Sequence, residues 1–291
     1  MALAASLPSV KERRRSRVAA IPVFWHLLSL DAPTVAVLWA WSFARGTHVQ
    51  ASAVTLAVLG IGTWLLYIAD RLLDGRAGAD PSGLQDRHFF HARHRRALLM
   101  AGVAASVPLL WAVAKMPAAA RREDTLLFGV AVLYFLAAHG RRLRSRFPRE
   151  LVVGIVFACT CAVPAWSQST ATHAELCWLV PLFAALCWLN CRAIHVWERT
   201  EPAAHRFVVS IPALSLAAVA AAFLAVTGNP GALRVAAAVA ASAMLLFALD
   251  RDRRRALQKQ AAVEALSTLA LRILADAVLL TPLLLLIPWR L

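Results

Sequence analysis

Acidic residues are scarce in this chain. Its 291 residues hold 16 Asp and Glu against 31 Lys and Arg, a net charge of +15 and a pI of about 11.3. In a soluble protein that balance suggests nucleic acid. Here the basic residues stand between long apolar runs, so membrane topology and anionic lipid account for them, and nucleic acid is not an expected partner. Cysteine patterning is missing too. Cys159, Cys161, Cys177, Cys187 and Cys191 are odd in number, contain no CxxC, and fall in or at the edge of apolar runs. That argues against a disulfide or metal framework and reads as small buried apolar residues. No run alternates apolar and polar residues, which excludes a transmembrane barrel. No A-x-A-like cleavage motif follows the first apolar run. At about 23 residues that run exceeds a signal-peptide core, so it reads as a span that stays in the membrane.

What the chain has in abundance is apolar sequence: 60% of residues, with a mean hydropathy of +0.63. Soluble domains sit nearer 45–50% apolar. Runs of membrane-crossing length recur, at roughly 22–44, 51–69, 97–115, 125–139, 151–167, 175–191, 207–227, 232–250 and 268–289. Helix is the expected state, because a lone span must satisfy its own backbone hydrogen bonds. The fold expected is all-α: a single transmembrane domain, 1–291, of about nine helices. Residues 1–21 form a basic N-terminal segment and 70–96 a loop over the same face.

Nine spans place alternate loops on opposite sides. The side of the N-terminus then carries 24 of the 31 Lys and Arg and the other side 6, with Arg272 inside the last span. A missed span would scramble that split, so it supports nine spans with a cytoplasmic N-terminus. A weak repeat of about 110–120 residues relates the first four spans to the next four. Acidic or amide residues follow spans 2 and 6, and Arg-rich loops follow spans 4 and 8. Four-span halves keep their orientation, so the repeat would be parallel, with one extra helix.

The sharpest local feature is Tyr67-Ile-Ala-Asp70-Arg71-Leu-Leu-Asp74. Asp70 and Asp74 are four apart and share a helical face. Two carboxylates so placed can bridge Mg²⁺ ions that hold a phosphate-rich ligand, or can end a helix in pairs with arginine. The counterpart is Asn190-Cys-Arg192-Ala-Ile-His195-Val-Trp-Glu198. Asn190 and Glu198 suit Mg²⁺ and Arg192 suits a phosphate, though the segment also fits a polar helix exit. His195 reads either as a general base or as an interface residue. Asp31, in Leu30-Asp31-Ala-Pro33, lies within the first run and is either functional or a structural polar contact. Arg272 and Asp276 are four apart, suited to an ion pair or to a tie with a neighbouring helix. Asp86, His88, His91 and His94 cluster in the loop 70–96. Their spacing fits a metal or, with Phe89 and Phe90 among arginines, a helix at the headgroups.

These features together resemble the UbiA-type intramembrane prenyltransferase superfamily, over most of the chain length. The family's first motif is N-D-x-x-D-x-x-x-D. Asp70, Arg71 and Asp74 stand at its later positions, with Leu66 and Tyr67 where its Asn and first Asp would be. Asn190 and Glu198 stand at the ends of the second motif, with Cys191 and Ile194 at its acidic positions. The family's Tyr-x-x-x-Lys-Arg segment is similar to Tyr134 followed by Arg141 and Arg142, at looser spacing.

The resemblance implies helices around a central cavity, with the 70–96 loop as its cap, in a bacterial inner membrane. It implies Mg²⁺ held by Asp70, Asp74, Asn190 and Glu198, which would be the catalytic set. Arg71, Tyr134, Arg141, Arg142, Arg192 and His195 would contact substrate. The reaction implied is transfer of a prenyl group from an isoprenoid diphosphate to a lipophilic, aromatic acceptor. Cyclisation of the allylic cation to a terpene, or a non-catalytic lipid-binding or scaffold role on the same fold, are the alternatives. Membrane lipid is the constant partner in each.

Overall fold

The structure, a computed structural model, describes residues 21–74, 90–91, 93–139, 149–168, 170, 173–198, 209–258 and 268–286. Every regular element among them is helical. In chain order these are α1 (Ile21–Leu27), α2 (Asp31–Gly46), α3 (Ala53–Asp74), α4 (Arg95–Lys115), α5 (Ala118–His139), α6 (Arg149–Trp166), α7 (His173–Glu198), α8 (Ser210–Val226), α9 (Pro230–Gln258) and α10 (Thr268–Ala277). A 3₁₀ helix, Val278–Leu286, continues α10. By length and composition five helices suffice to cross a membrane: α3, α4, α6, α7 and α9. The α1–α2 pair makes a sixth if counted as one span, and α8 is a shorter apolar helix. Such a set is compatible with an integral, multi-pass membrane protein.

The first apolar run is expected as one span from 22 to 44. It is instead broken, with α1 at 91° to α2. Pro33 supplies the reason. It has no N–H to donate to the Ser29 carbonyl, and its ring would clash with that carbonyl in a continuous helix. In the first turn of a new helix it costs nothing. The chain leaves α1 through a Schellman ending: Leu30 N–H bonds the Trp25 carbonyl at 3.1 Å and Ser29 N–H the His26 carbonyl at 3.0 Å. Ser29 takes the left-handed conformation this requires, at φ 56°. The Leu28 carbonyl accepts from Trp64 Nε1 of α3 at 3.0 Å.

Two other boundaries move. α3 runs to Asp74 and α7 to Glu198, so Tyr67–Asp74 and Asn190–Glu198 lie on helices rather than opening loops. The last apolar run divides at Ala277 into α10 and the 3₁₀ helix, which contains Pro282. Buried hydroxyls tie that segment to α9. Ser242 Oγ donates to the Val278 carbonyl at 2.6 Å, and Thr281 Oγ1 donates to the Ala238 carbonyl at 2.9 Å.

The main core lies among α2, α6, α7, α8, α9 and α10. At its centre Trp39 stacks on Phe183 with ring centroids 4.1 Å apart, and Phe43 meets Phe183 edge-on at 5.7 Å. All three are fully buried, worth about 1.5–3 kcal/mol each. Trp39 Nε1 donates to the Leu279 carbonyl at 2.8 Å. α4 lies outside this core and exposes Met100, Val103, Val107, Leu110 and Trp111. An apolar face without a protein partner is what lipid contact asks of a helix.

Side-chain contacts give each helix its direction. His48, after α2, bonds Asn229 at the start of α9, and Asn229 bonds Glu175 at the start of α7. At the opposite end, Trp197 of α7 and Ser210 of α8 both donate to Asp250 of α9. Glu150, starting α6, meets Arg192 and His195, ending α7. Arg71, near the end of α3, meets Ser29, before α2. The helices therefore alternate, and those related by four positions (α2 and α6, α3 and α7, α4 and α8) run the same way, as a parallel four-helix repeat requires. The C-terminal ends of α3, α5, α7 and α9 lie at one pole. This is the pole to which the sequence assigns the positive charge.

Candidate functional site

That pole contains a buried polar cluster built from α1, α2, α3, α7 and α10. The α1–α2 turn brings His26 back onto Asp31, five residues on: Nδ1 lies 2.8 Å from Asp31 Oδ2. The same nitrogen lies 3.5 Å from Asp276 Oδ2 of α10. His26 is 2% exposed, and its Nε2 has no hydrogen-bond partner among the described residues. The three ligating atoms of His26, Asp31 and Asp276 fall within 4.8 Å of one another.

Helical spacing brings in the rest. Tyr67 and Arg71 are one turn apart on α3 and face this cluster, within electrostatic reach of Asp31. Arg71 Nε donates to Ser29 Oγ at 3.1 Å, and the same hydroxyl lies 3.4 Å from His91 Nε2. Ser29 thus keeps a conformation that glycine holds more cheaply, because its hydroxyl joins α3 to His91, ahead of α4. Burial holds the His91 imidazole down at about 4, with Arg71 adding to the effect. It is uncharged near neutral pH.

On α7, Asn190 Nδ2 reaches Asp276 Oδ1 at 3.5 Å. Asn190 is 4% exposed, and its Oδ1 is buried without a hydrogen-bond partner among the described residues. Glu198 accepts a hydrogen bond from Arg272. Arg272 therefore ties α10 to α7, and Asp276 turns to His26 and Asn190.

A second polar group lies towards α5 and α6. Glu150 stands 3.9 Å from Arg192 and 3.6 Å from His195. Tyr134 donates to the Arg149 carbonyl at 3.4 Å. Asp70 and Glu150 both act electrostatically on Tyr134. Asp70 is turned about 100° around α3 from Arg71, which separates it from the buried cluster.

The residues expected from sequence thus divide. Arg71, Asn190 and Glu198 join the buried cluster. Asp70, Tyr134, Arg192 and His195 join the second group. The side chain of Asp74, and Arg141, Arg142, Asp86 and His88, lie outside the described residues. Of the loop histidines, His91 is buried against Ser29, while His94 is exposed and bonds the Phe90 carbonyl at 2.9 Å. All five cysteines are free. His26 and Ser29 were not singled out from sequence. The available signal was a histidine five residues before a mid-span Asp-x-Pro, which only a chain reversal makes meaningful.

The Mg²⁺ implied by the resemblance meets a competitor at Glu198, whose carboxylate already accepts a hydrogen bond from Arg272. The convergent donors among the described residues are His26, Asp31 and Asp276. Set against protein-family models, curated proteins and solved structures, the chain matches none of them.

Proposed function

We propose that this chain is a nine-span membrane enzyme of UbiA type. It would transfer a prenyl group from an isoprenoid diphosphate to a lipophilic, aromatic acceptor. Its N-terminus would be cytoplasmic, in a bacterial inner membrane. The observation that carries the reading is the convergence of Arg71, Arg272, Asn190 and Tyr67 from three separate helices at the basic pole, directly above an apolar core.

In this reading the basic pole draws in the diphosphate and the apolar bundle receives the prenyl tail. The allylic C–O bond breaks heterolytically, and the electron pair leaves with the diphosphate. Guanidiniums held in a water-poor setting stabilise that charge more than they would in water. The acceptor carbon supplies the electrons of the new C–C bond and loses its proton, for which His195, beside Glu150, is the base in this reading. Mg²⁺ belongs in the assay as the cation that accompanies the diphosphate.

The test uses protein in lipid nanodiscs with radiolabelled prenyl diphosphates of stepped length, Mg²⁺, and a panel of phenolic and quinol acceptors. Diphosphate release with a lipid-soluble product is expected, with Arg71→Gln lowering kcat/KM about 100-fold. Absence of prenyl diphosphate binding sinks the reading. One observation favours a second reading, a non-catalytic lipid-binding member of the fold. Glu198 and Arg272 already neutralise one another. Binding without diphosphate release, across all acceptors, would select it.

A further inference from the structure

Two half-buried carboxylates face one buried imidazole at the α1–α2 turn. Asp31 and Asp276 come from helices 245 positions apart in the sequence, so neither local spacing nor a shared helix forces them together. Each costs several kcal/mol to bury as an anion unless a positive group answers it. His26 Nδ1 stands between them, at 2.8 and 3.5 Å. With His26 neutral, the three carboxylates of Asp31, Asp276 and Glu198 outnumber the guanidiniums of Arg71 and Arg272 by one. The cluster then attracts a cation.

We propose that His26, Asp31 and Asp276 form a binding site for one divalent transition-metal ion, with Asn190 Oδ1 as a fourth donor. Donors sharing an ion at a bond length of about 2.1 Å stand roughly 3.0–3.4 Å apart. The observed separations bracket that range, so small side-chain shifts close the site. Asn190 is an independent indicator. Its Nδ2 faces Asp276 while its buried Oδ1 has no hydrogen-bond partner among the described residues, and a flip of the amide turns that oxygen to a cation.

One imidazole with oxygen donors favours Mn²⁺, Fe²⁺ or Zn²⁺ over Mg²⁺, which prefers oxygen and water. Such a site shares Asn190 with the second corner that the resemblance implies, but its other donors and its metal class differ. The inference concerns binding alone and stands apart from the prenyl-transfer reading.

The experiment strips purified protein in nanodiscs with a chelator, then titrates it with Co²⁺ and, separately, with Mn²⁺. One ion per chain is expected, with visible d–d bands for Co²⁺ and a nitrogen coupling in pulsed EPR of bound Mn²⁺. His26→Gln should abolish the nitrogen coupling and weaken binding at least about tenfold. Asp276→Asn should weaken it similarly, and Asp70→Asn should leave it unchanged. No stoichiometric binding, or binding without nitrogen coupling in the wild type, overturns the site. Binding unchanged in His26→Gln but lost in Asp70→Asn or His94→Gln also overturns it. If a variant fails to fold, the wild-type stoichiometry and nitrogen coupling still decide. Because no turnover is measured, a protein that binds Co²⁺ here yet releases no diphosphate keeps this site and loses the prenyl reading.

Discussion

Where α2 ends and α7 and α9 begin, the helices meet through glycine and a short hydrogen-bond chain; at the opposite pole they meet through buried charge. At the first pole a Cβ on Gly231 would strike the Gly46 carbonyl oxygen, and one on Gly46 would come within 2.6 Å of Val235. Asn229 caps α9, accepting from Gly231 N–H at 2.8 Å, with Pro230 at the first helical position. That end is close-packed and locally self-consistent. At the charged pole His26, Asp31, Arg71, Asn190, Arg272 and Asp276 are brought out of water, and left-handed Ser29 is retained for its hydroxyl. An apolar join would serve packing better there. The difference teaches that one pole is built for stability, while the other accepts a cost that only a function repays.

Breaking an ion pair at the charged pole should have the largest effect. Glu198→Ala leaves Arg272 buried without its carboxylate, and about 3–5 kcal/mol of stability should be lost. The double variant Glu198→Leu with Arg272→Met should lose far less. Thermal unfolding in nanodiscs measures both, and equal losses would show that the pair is not coupled.

Next is pH. His91 titrates near 4 in the folded protein and near 6.5 when unfolded. Between those values the unfolded chain binds more protons, so stability contributed by neutral His91 is present above pH 6.5 and is lost as pH falls towards 4. The loss is about 3 kcal/mol at most. Denaturation at stepped pH should show this slope in the wild type and a flatter one in His91→Gln. The same slope in both would remove His91 from the account.

At the close-packed pole, Gly231→Ala should cost about 1–3 kcal/mol by forcing α2 and α9 apart. Diphosphate binding, read at the other pole by calorimetry, should not change. A binding defect would mean that the two poles are coupled.

The smallest and sharpest contrast uses the two left-handed residues, Ser29 and His48 (φ 56° and 58°). His48→Gly gives up one exposed bond and relieves the backbone, so stability should rise by about 0.5 kcal/mol. Ser29→Gly gains the same relief but loses the hydroxyl shared by Arg71 and His91, so stability should fall by about 1 kcal/mol. Opposite signs support the division between the poles, and matching signs would break it.

The elements themselves were legible in the sequence. Long apolar runs place α3, α4, α6, α7 and α9. Most of the basic residues fall between those runs, because topology is written in local charge. Asp31, Arg71, Asn190, Glu198, Arg272 and Asp276 were also visible as polar residues at costly positions. Their partners were not. The 3.6-residue period allowed Arg272 and Asp276 either a pair within one helix or a tie to a neighbouring one. Packing chose the tie, giving Arg272 to Glu198 and Asp276 to His26.

By itself, then, the sequence determined an all-helical chain with apolar helices long enough for a membrane and charge concentrated between them. Both follow from residue-by-residue transfer energies and backbone hydrogen bonding, which need no knowledge of neighbours. Only the tertiary structure decided which face of each helix turns inward, that the first run breaks before Pro33, and that His26 closes onto Asp31 and Asp276. Those outcomes depend on contacts between residues hundreds of positions apart, where the partner that neutralises a buried charge is set by how helices pack.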